Sequence, residues 1–286
     1  MPTVKVSRSI LAALFDHSLL HPTLTDDQIT AGLHLVRQHS LFAACVTPSA
    51  VPLAVSILSG AGPSPSPDQG NGTPLVCSVV GFPHGSSTTA TKLAEAEEAL
   101  AAGAREIDLV PNIGKVLSGA YPAVEAEVAA LNALATSRGA ILKLIFENDY
   151  LAAAGPGPGP DNNHILALCD MCTRLGVAFA KTSTGYGFVK QPAQGGGSSS
   201  SSRSGNLYAY RGATMSHLRL MRQRCGPRVQ IKAAGGVRSL DDVLRVMALG
   251  VTRIGTTATV AILEEAAARG IGEAEVEVEV PEIVFD

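Results

Sequence analysis

Eight short, largely apolar runs, each followed by a longer helix-patterned segment, restrict this chain more than any other feature. They span residues 14–17, 43–46, 75–80, 106–110, 141–146, 177–181, 229–232 and 253–255. Runs apolar on both faces belong in a parallel sheet covered by helices on each side. Eight strand–helix units fit a closed (β/α)8 (TIM) barrel of the α/β class better than an open sheet. The 286 residues, 46% of them apolar, suffice for one such barrel as a single domain.

The intervening segments start as helices should. Thr25-Asp26-Asp27-Gln28 and Ser239-Leu240-Asp241-Asp242 each put a hydroxyl cap before acidic residues, which suit the positive end of a helix. Residues 89–102 read as an amphipathic helix closed by Gly103. Three low-complexity stretches interrupt the alternation, near residues 60–74, 155–160 and 187–210. Rich in Gly, Pro or Ser, they lack the apolar surface to fold and read as flexible loop insertions.

Bulk properties exclude several classes. The net charge is -3 with no basic patch, so nucleic acid is not the expected partner. No apolar run reaches the roughly 18 residues of a membrane span, and the first residues lack a signal-peptide core. A cytoplasmic protein is expected. Cys169 and Cys172 form a Cys-x-x-Cys pair, but no second pair or spaced histidine accompanies it. The five cysteines read as core packing in a reducing compartment, and no metal or cofactor is expected.

Two of the apolar runs end in lysine. Lys181 closes Val177-Ala178-Phe179-Ala180-Lys181, and Lys232 closes Val229-Gln230-Ile231-Lys232 before Ala233-Ala234-Gly235-Gly236. Lysine is seldom buried without a partner. A desolvated lysine beside a second cation gives up its proton more readily and becomes an amine nucleophile for carbonyls. Asp108, in Glu106-Ile107-Asp108-Leu109-Val110, occupies an equivalent strand end and could shuttle protons. At the C-terminal face of a barrel the three side chains would converge. The competing reading is a buried ion pair of purely structural role.

The turn Gly235-Gly236-Val237-Arg238 precedes a helix start, as does Gly255-Thr256-Thr257 after the eighth strand. Glycines let amides approach an anion, and barrels commonly bind phosphate at the loops after strands seven and eight.

Taken in order, these motifs resemble the deoxyribose-phosphate aldolase family from about Asp16 to Thr257. Asp16-His17-Ser18-Leu19-Leu20 resembles its opening strand, and Gly81-Phe82-Pro83 its Gly-Phe-Pro loop. Glu106-Ile107-Asp108-Leu109-Val110 with Asn112-Ile113-Gly114 is similar to the strand of its proton-transfer aspartate. Lys181-Thr182-Ser183-Thr184-Gly185 resembles its Schiff-base strand, and Lys232-Ala233-Ala234-Gly235-Gly236-Val237-Arg238 its second-lysine strand.

The resemblance implies a class I aldolase that cleaves 2-deoxy-D-ribose 5-phosphate to acetaldehyde and D-glyceraldehyde 3-phosphate. Lys181 would form the imine, and Lys232 and Asp108 would assist it. Gly185, Gly235, Gly236, Arg238, Gly255 and Thr257 would line the phosphate end. Partners would be a small sugar phosphate and an aldehyde, with a homodimer as one option for assembly. Two alternatives stay open: a related Schiff-base aldolase on another sugar phosphate, and a barrel that binds a sugar phosphate without turnover.

The chain also departs from the pattern. Ser18 and His21 replace Thr and Lys, Asn148 follows Glu147 where Thr is usual, and Ala258 replaces a small hydroxyl residue. Losing that hydroxyl would remove a hydrogen bond worth about 1.5–3 kcal/mol to a phosphate. The insertion at 187–210 directly follows the Lys181 strand and is placed to act as a lid or alter substrate preference. His17, His84 and His164 lack ligand spacing and read as packing, capping or loop residues. Lys143 reads as a structural ion-pair partner, with a place inside the barrel near Asp108, tuning the network, as the alternative; Cys45 reads as a core or pocket thiol. The acidic alternation 273–279 reads as an exposed or edge segment, a solvated tail.

Overall fold

The computed structural model describes residues 2–59, 73–153, 162–190 and 208–285. Twelve strands occur among them: β1 (Thr3–Val6), β2 (Phe15–Leu19), β3 (Ala43–Val46), β4 (Leu75–Val80), β5 (Glu106–Leu109), β6 (Ile141–Ile145), β7 (Phe179–Lys181), β8 (Val189–Lys190), β9 (Tyr208–Ala209), β10 (Gln230–Ala234), β11 (Arg253–Thr256) and β12 (Val276–Glu279). Eight of them close a barrel in the order β10-β11-β2-β3-β4-β5-β6-β7, every pairing parallel. The expected (β/α)8 architecture is therefore present.

The helix signals act as expected. Thr25 caps Asp26–Gln38 through a reciprocal capping box with Gln28, and Ser239 caps Leu240–Ala248 likewise with Asp242. Helix Thr89–Ala101 ends one residue short of the expected boundary.

Strand limits shift by at most two residues. β7 starts at Phe179 rather than Val177, because the left-handed Gly176 (φ 64°) caps helix Asn163–Leu175 and Val177 N–H still bonds Cys172 O. β10 runs two residues beyond Lys232, through Ala234.

Two apolar regions hold the barrel together. The larger lies between strands and helices, with Phe15, Ile107, Leu142, Ile231 and Ile254 facing Leu33, Val128, Leu168 and Leu244. A small one inside the barrel joins Leu20, Ala43, Cys45, Cys77 and Val79. Alternation thus sends small apolar groups inward from β3 and β4 and leaves the rest of the interior to other strands.

The acidic alternation near the C-terminus is not a solvated tail. Val276–Glu279 pairs antiparallel with β1, Val6 opposite Val276. Its period of two, apolar against acidic, is that of a half-exposed strand.

The three low-complexity stretches fall largely outside the described residues. At the flanks of the third, β8 and β9 pair antiparallel, Val189 opposite Ala209 and Lys190 opposite Tyr208. No helix among the described residues is long and apolar enough to cross a membrane.

Candidate active site

Lys181 and Lys232 are register partners across β7 and β10, and Asp108 on β5 reaches both. The Lys181 ammonium donates to Asp108 Oδ2 at 2.6 Å, and Lys232 donates to the same oxygen at 2.8 Å. Asp108 Oδ1 accepts from Lys143 at 2.8 Å and from the Cys77 thiol at 3.1 Å. Three lysines thus converge on one carboxylate buried inside the barrel.

Deeper contacts extend the network. Asp16 accepts from Lys232 at 2.5 Å and from Arg253 at 2.8 Å. Glu106 lies 2.6 Å from Lys143 and 3.1 Å from Arg253, whose guanidinium also stacks over Phe42 at 3.5 Å. Four cations (Lys143, Lys181, Lys232, Arg253) therefore face three carboxylates (Asp16, Glu106, Asp108). Lys143 touches three of those carboxylates, Lys232 and Arg253 two each, and Lys181 one.

Protonation follows from these contacts. Burial disfavours a charged Lys232, yet Asp108 and Asp16 outweigh it and hold its pKa above the ordinary lysine range. Burial likewise pushes the Asp108 carboxyl up, but Lys143, Lys181 and Lys232 together hold it well below the carboxylate range. Asp16 is held low in the same way, by Lys232 and Arg253 against burial. In the free protein these contacts favour a protonated Lys232 and an ionised Asp108.

Above this network opens a cavity of about 200 Å³. Lys181, Lys232 and Asp16 form its floor, and all six expected phosphate-end residues line it: Gly185, Gly235, Gly236, Arg238, Gly255 and Thr257. Asp108, fully buried, is not among the lining residues and contacts the cavity's floor through the two lysines. The helix after Gly236 offers less than its sequence implied. Its leading amides are taken, Arg238 and Ser239 by Asp242 Oδ2 at 3.1 Å and Leu240 by Glu265 Oε2 at 2.8 Å. The turn 235–237, with Arg238 beside it, is left as the part of that motif that faces the cavity.

Searches of family models return no match. Among curated proteins, the deoxyribose-phosphate aldolase of Rhodopirellula baltica is 38% identical over 256 residues, spanning 90% of this chain and 89% of that one. The chain belongs to the deoxyribose-phosphate aldolase family. Among solved structures, one from Coccidioides immitis, provisionally described as a deoxyribose-phosphate aldolase, superposes with a TM-score of 0.73 at 26% identity, covering 93% of this chain and 88% of its own. The deoxyribose phosphate aldolase of Aeropyrum pernix, described as having a unique tetrameric structure, gives 0.71 at 26% identity, covering 92% and 93%.

Several residues of this family member escaped the sequence reading. Asp16 and Glu106 stand in the quoted motifs without a role of their own, and Arg253 opens the eighth apolar run. The signal available was parity: Glu106 and Asp108 are two apart and share a face, as do Arg253 and Gly255. Lys143 was not missed: it takes the place near Asp108 that the sequence left open as its alternative. Glu147 is a further buried carboxylate, bonded to the hydroxyl of Thr184 and accepting its amide at 3.2 Å. Burial raises its pKa to about 7, with Asp149 adding to the rise and Thr184 and Lys181 opposing it.

The histidines play the supporting parts expected of them. His17 is buried against the Thr259 hydroxyl at 2.9 Å, its pKa lowered by burial to about 4, and His164 bonds the Tyr121 hydroxyl at 2.8 Å. Cys169 and Cys172 are buried in the outer core with Leu168 and Met171.

Proposed function

We propose that this cluster carries out the retro-aldol cleavage of 2-deoxy-D-ribose 5-phosphate, with Lys181 as the nucleophile. The observation that carries the assignment is the number of carboxylates that each cation holds. Among the four buried cations Lys181 alone touches a single carboxylate and lies at the cavity floor. Converting it to a neutral amine leaves three cations against three carboxylates. Lys143, Lys232 and Arg253 each bridge two or more carboxylates, so neutralising any of them weakens several buried ion pairs at once, whereas Lys181 gives up only one.

The chemistry then runs as follows. The Lys181 amine adds to the C1 aldehyde of the open-chain sugar, and loss of water gives an imine. The C3 hydroxyl gives up its proton, the C2–C3 bond breaks, and its electron pair moves onto C2 to form an enamine. D-Glyceraldehyde 3-phosphate leaves. The enamine takes a proton at C2, and water hydrolyses the resulting imine to free acetaldehyde and the amine. The imine is itself the electron sink, so that step calls for no metal.

Lys232, held as a cation beside the reacting carbon, stabilises developing negative charge and can deliver a proton. Asp108 is a poor base while three ammonium groups surround it. Once Lys181 becomes an imine, one hydrogen bond to Asp108 Oδ2 changes character and the carboxylate becomes more basic. Proton transfer through Asp108 and Lys232 is thereby tied to imine formation. Gly185, Gly235, Gly236, Arg238, Gly255 and Thr257 would hold the phosphate. The free, buried cysteines fit a cytoplasmic, reducing setting. A homodimer remains the assembly to test against the tetramer named for the Aeropyrum relative, by sedimentation.

The test is borohydride trapping with 2-deoxyribose 5-phosphate, followed by peptide mapping. A reduced adduct on Lys181 supports the assignment. An adduct on Lys232 or Lys143, or none in folded protein, removes it.

A further inference from the structure

The segment that returns to the barrel after β9 places Tyr210 in the wall of the cavity. Its ring packs on Phe188, centroids 5.7 Å apart, and the β8–β9 pairing fixes both residues' approach. Its hydroxyl is buried and has no hydrogen-bond partner among the described residues. An unpartnered buried hydroxyl is costly and uncommon in a settled core.

The surroundings show where this hydroxyl is directed. Three glycines with left-handed backbone surround it: Gly185 (φ 94°), Gly212 (φ 71°) and Gly235 (φ 84°). A Cβ on Gly235 would fall 1.5 Å from the hydroxyl oxygen, on Gly212 2.8 Å, and on Gly185 3.9 Å. The phenol therefore lies flush against the Gly235 turn, in a cradle that any side chain there would fill. Burial, with Asp149 and Glu147, holds the phenol's pKa above its ordinary value, against the pull of Arg238, so it remains a hydrogen-bond donor.

We propose that Tyr210 is a substrate-binding residue whose hydroxyl donates to the phosphate group of the sugar phosphate at the Gly235–Gly236 turn. The proposal rests on the aldolase reading of the same cavity. The ligand class is a phosphomonoester, since a donor beside glycine amides and Arg238 suits a dianion.

Kinetics of Tyr210→Phe test it, because that change removes only the hydroxyl. Wild type and variant are compared on 2-deoxyribose 5-phosphate, on unphosphorylated 2-deoxyribose, and for inhibition by inorganic phosphate. We expect KM for the phosphorylated sugar and Ki for phosphate to rise about tenfold or more. Turnover of the unphosphorylated sugar should stay within about twofold of wild type. Unchanged or lower KM for the phosphorylated sugar would show a plug rather than a ligand. Equal losses on both sugars would show a structural role, and either result overturns the proposal. Should Tyr210→Phe not fold, Tyr210→Leu is read by the same ratio. If wild type does not turn over the phosphorylated sugar, the aldolase reading fails separately. Calorimetric binding of inorganic phosphate to both proteins then decides the role of Tyr210 alone.

Discussion

Lys181 and Lys232 donate to one and the same oxygen, Oδ2 of Asp108, at 2.6 and 2.8 Å. The two amines are thus positioned by a single atom, and a change of charge on one is felt by the other through the shared acceptor. Lys232 has a second carboxylate, Asp16, and keeps its proton. Lys181 has none, and it faces the cavity. On the proposed assignment, that difference in partners is what separates the nucleophile from the neighbouring cation.

Removal of each amine should separate the roles. Lys181→Ala should abolish both turnover and borohydride trapping. Lys232→Leu should keep acetaldehyde trapping at Lys181 while turnover falls by about two to four orders of magnitude, as for loss of an acid–base group. Near wild-type turnover in Lys181→Ala would sink the mechanism.

The Asp108–Lys143 contact should show strong coupling. Replacing Asp108 with Leu takes the shared carboxylate from three lysines, and replacing Lys143 with Met takes a cation from three carboxylates; each should cost about 3–5 kcal/mol. The double replacement returns the cluster to its original net charge and should cost less than the two singles summed. Denaturant unfolding of the four proteins measures the coupling. Additive losses would mean that the pair is solvated rather than buried.

Lys92 provides the contrasting case of a buried lysine with structural work. It is fully buried outside the barrel and donates to Glu127 at 2.8 Å and to Val110 O at 2.9 Å, holding the end of β5 against two helices. Lys92→Met should lower stability by about 3–5 kcal/mol, since Glu127 loses its partner. The Lys181 adduct should form as in wild type in the folded variant. Loss of the adduct with the fold intact would tie this clamp to the chemistry.

The barrel was legible because each strand carries its own apolar run, and β3 and β4 match their expected limits to the residue. Lys181, Lys232 and Asp108 were legible because a charge closing an apolar run is conspicuous. Asp16, Glu106 and Arg253 were not, since their pairing is a property of closure: Arg253 meets Asp16 across 237 positions. Tyr210 was hidden for another reason. It borders a serine-rich stretch without periodicity, and only the left-handed glycines that it covers reveal its place.

Glu147 should impose a pH dependence on stability. Its φ of 58° places it in the left-handed region, unusual for a side-chain-bearing residue, and a Cβ on Gly187 would fall 2.6 Å from its carboxylate. The folded protein raises its pKa from 4.5 to about 7, chiefly by burial. Between those values the folded state binds more protons than the unfolded one, so stability falls as pH rises. The protonated form bears no penalty at about pH 4, and the full penalty, on the order of 3 kcal/mol, is present above pH 7. Glu147→Gln removes the titration while keeping an acceptor for the Thr184 amide. Unfolding free energy of wild type minus variant, followed from pH 4.5 to 8, should decline across this window. A flat difference would mean that the carboxyl titrates alike in the folded and unfolded chain, with no penalty from burial.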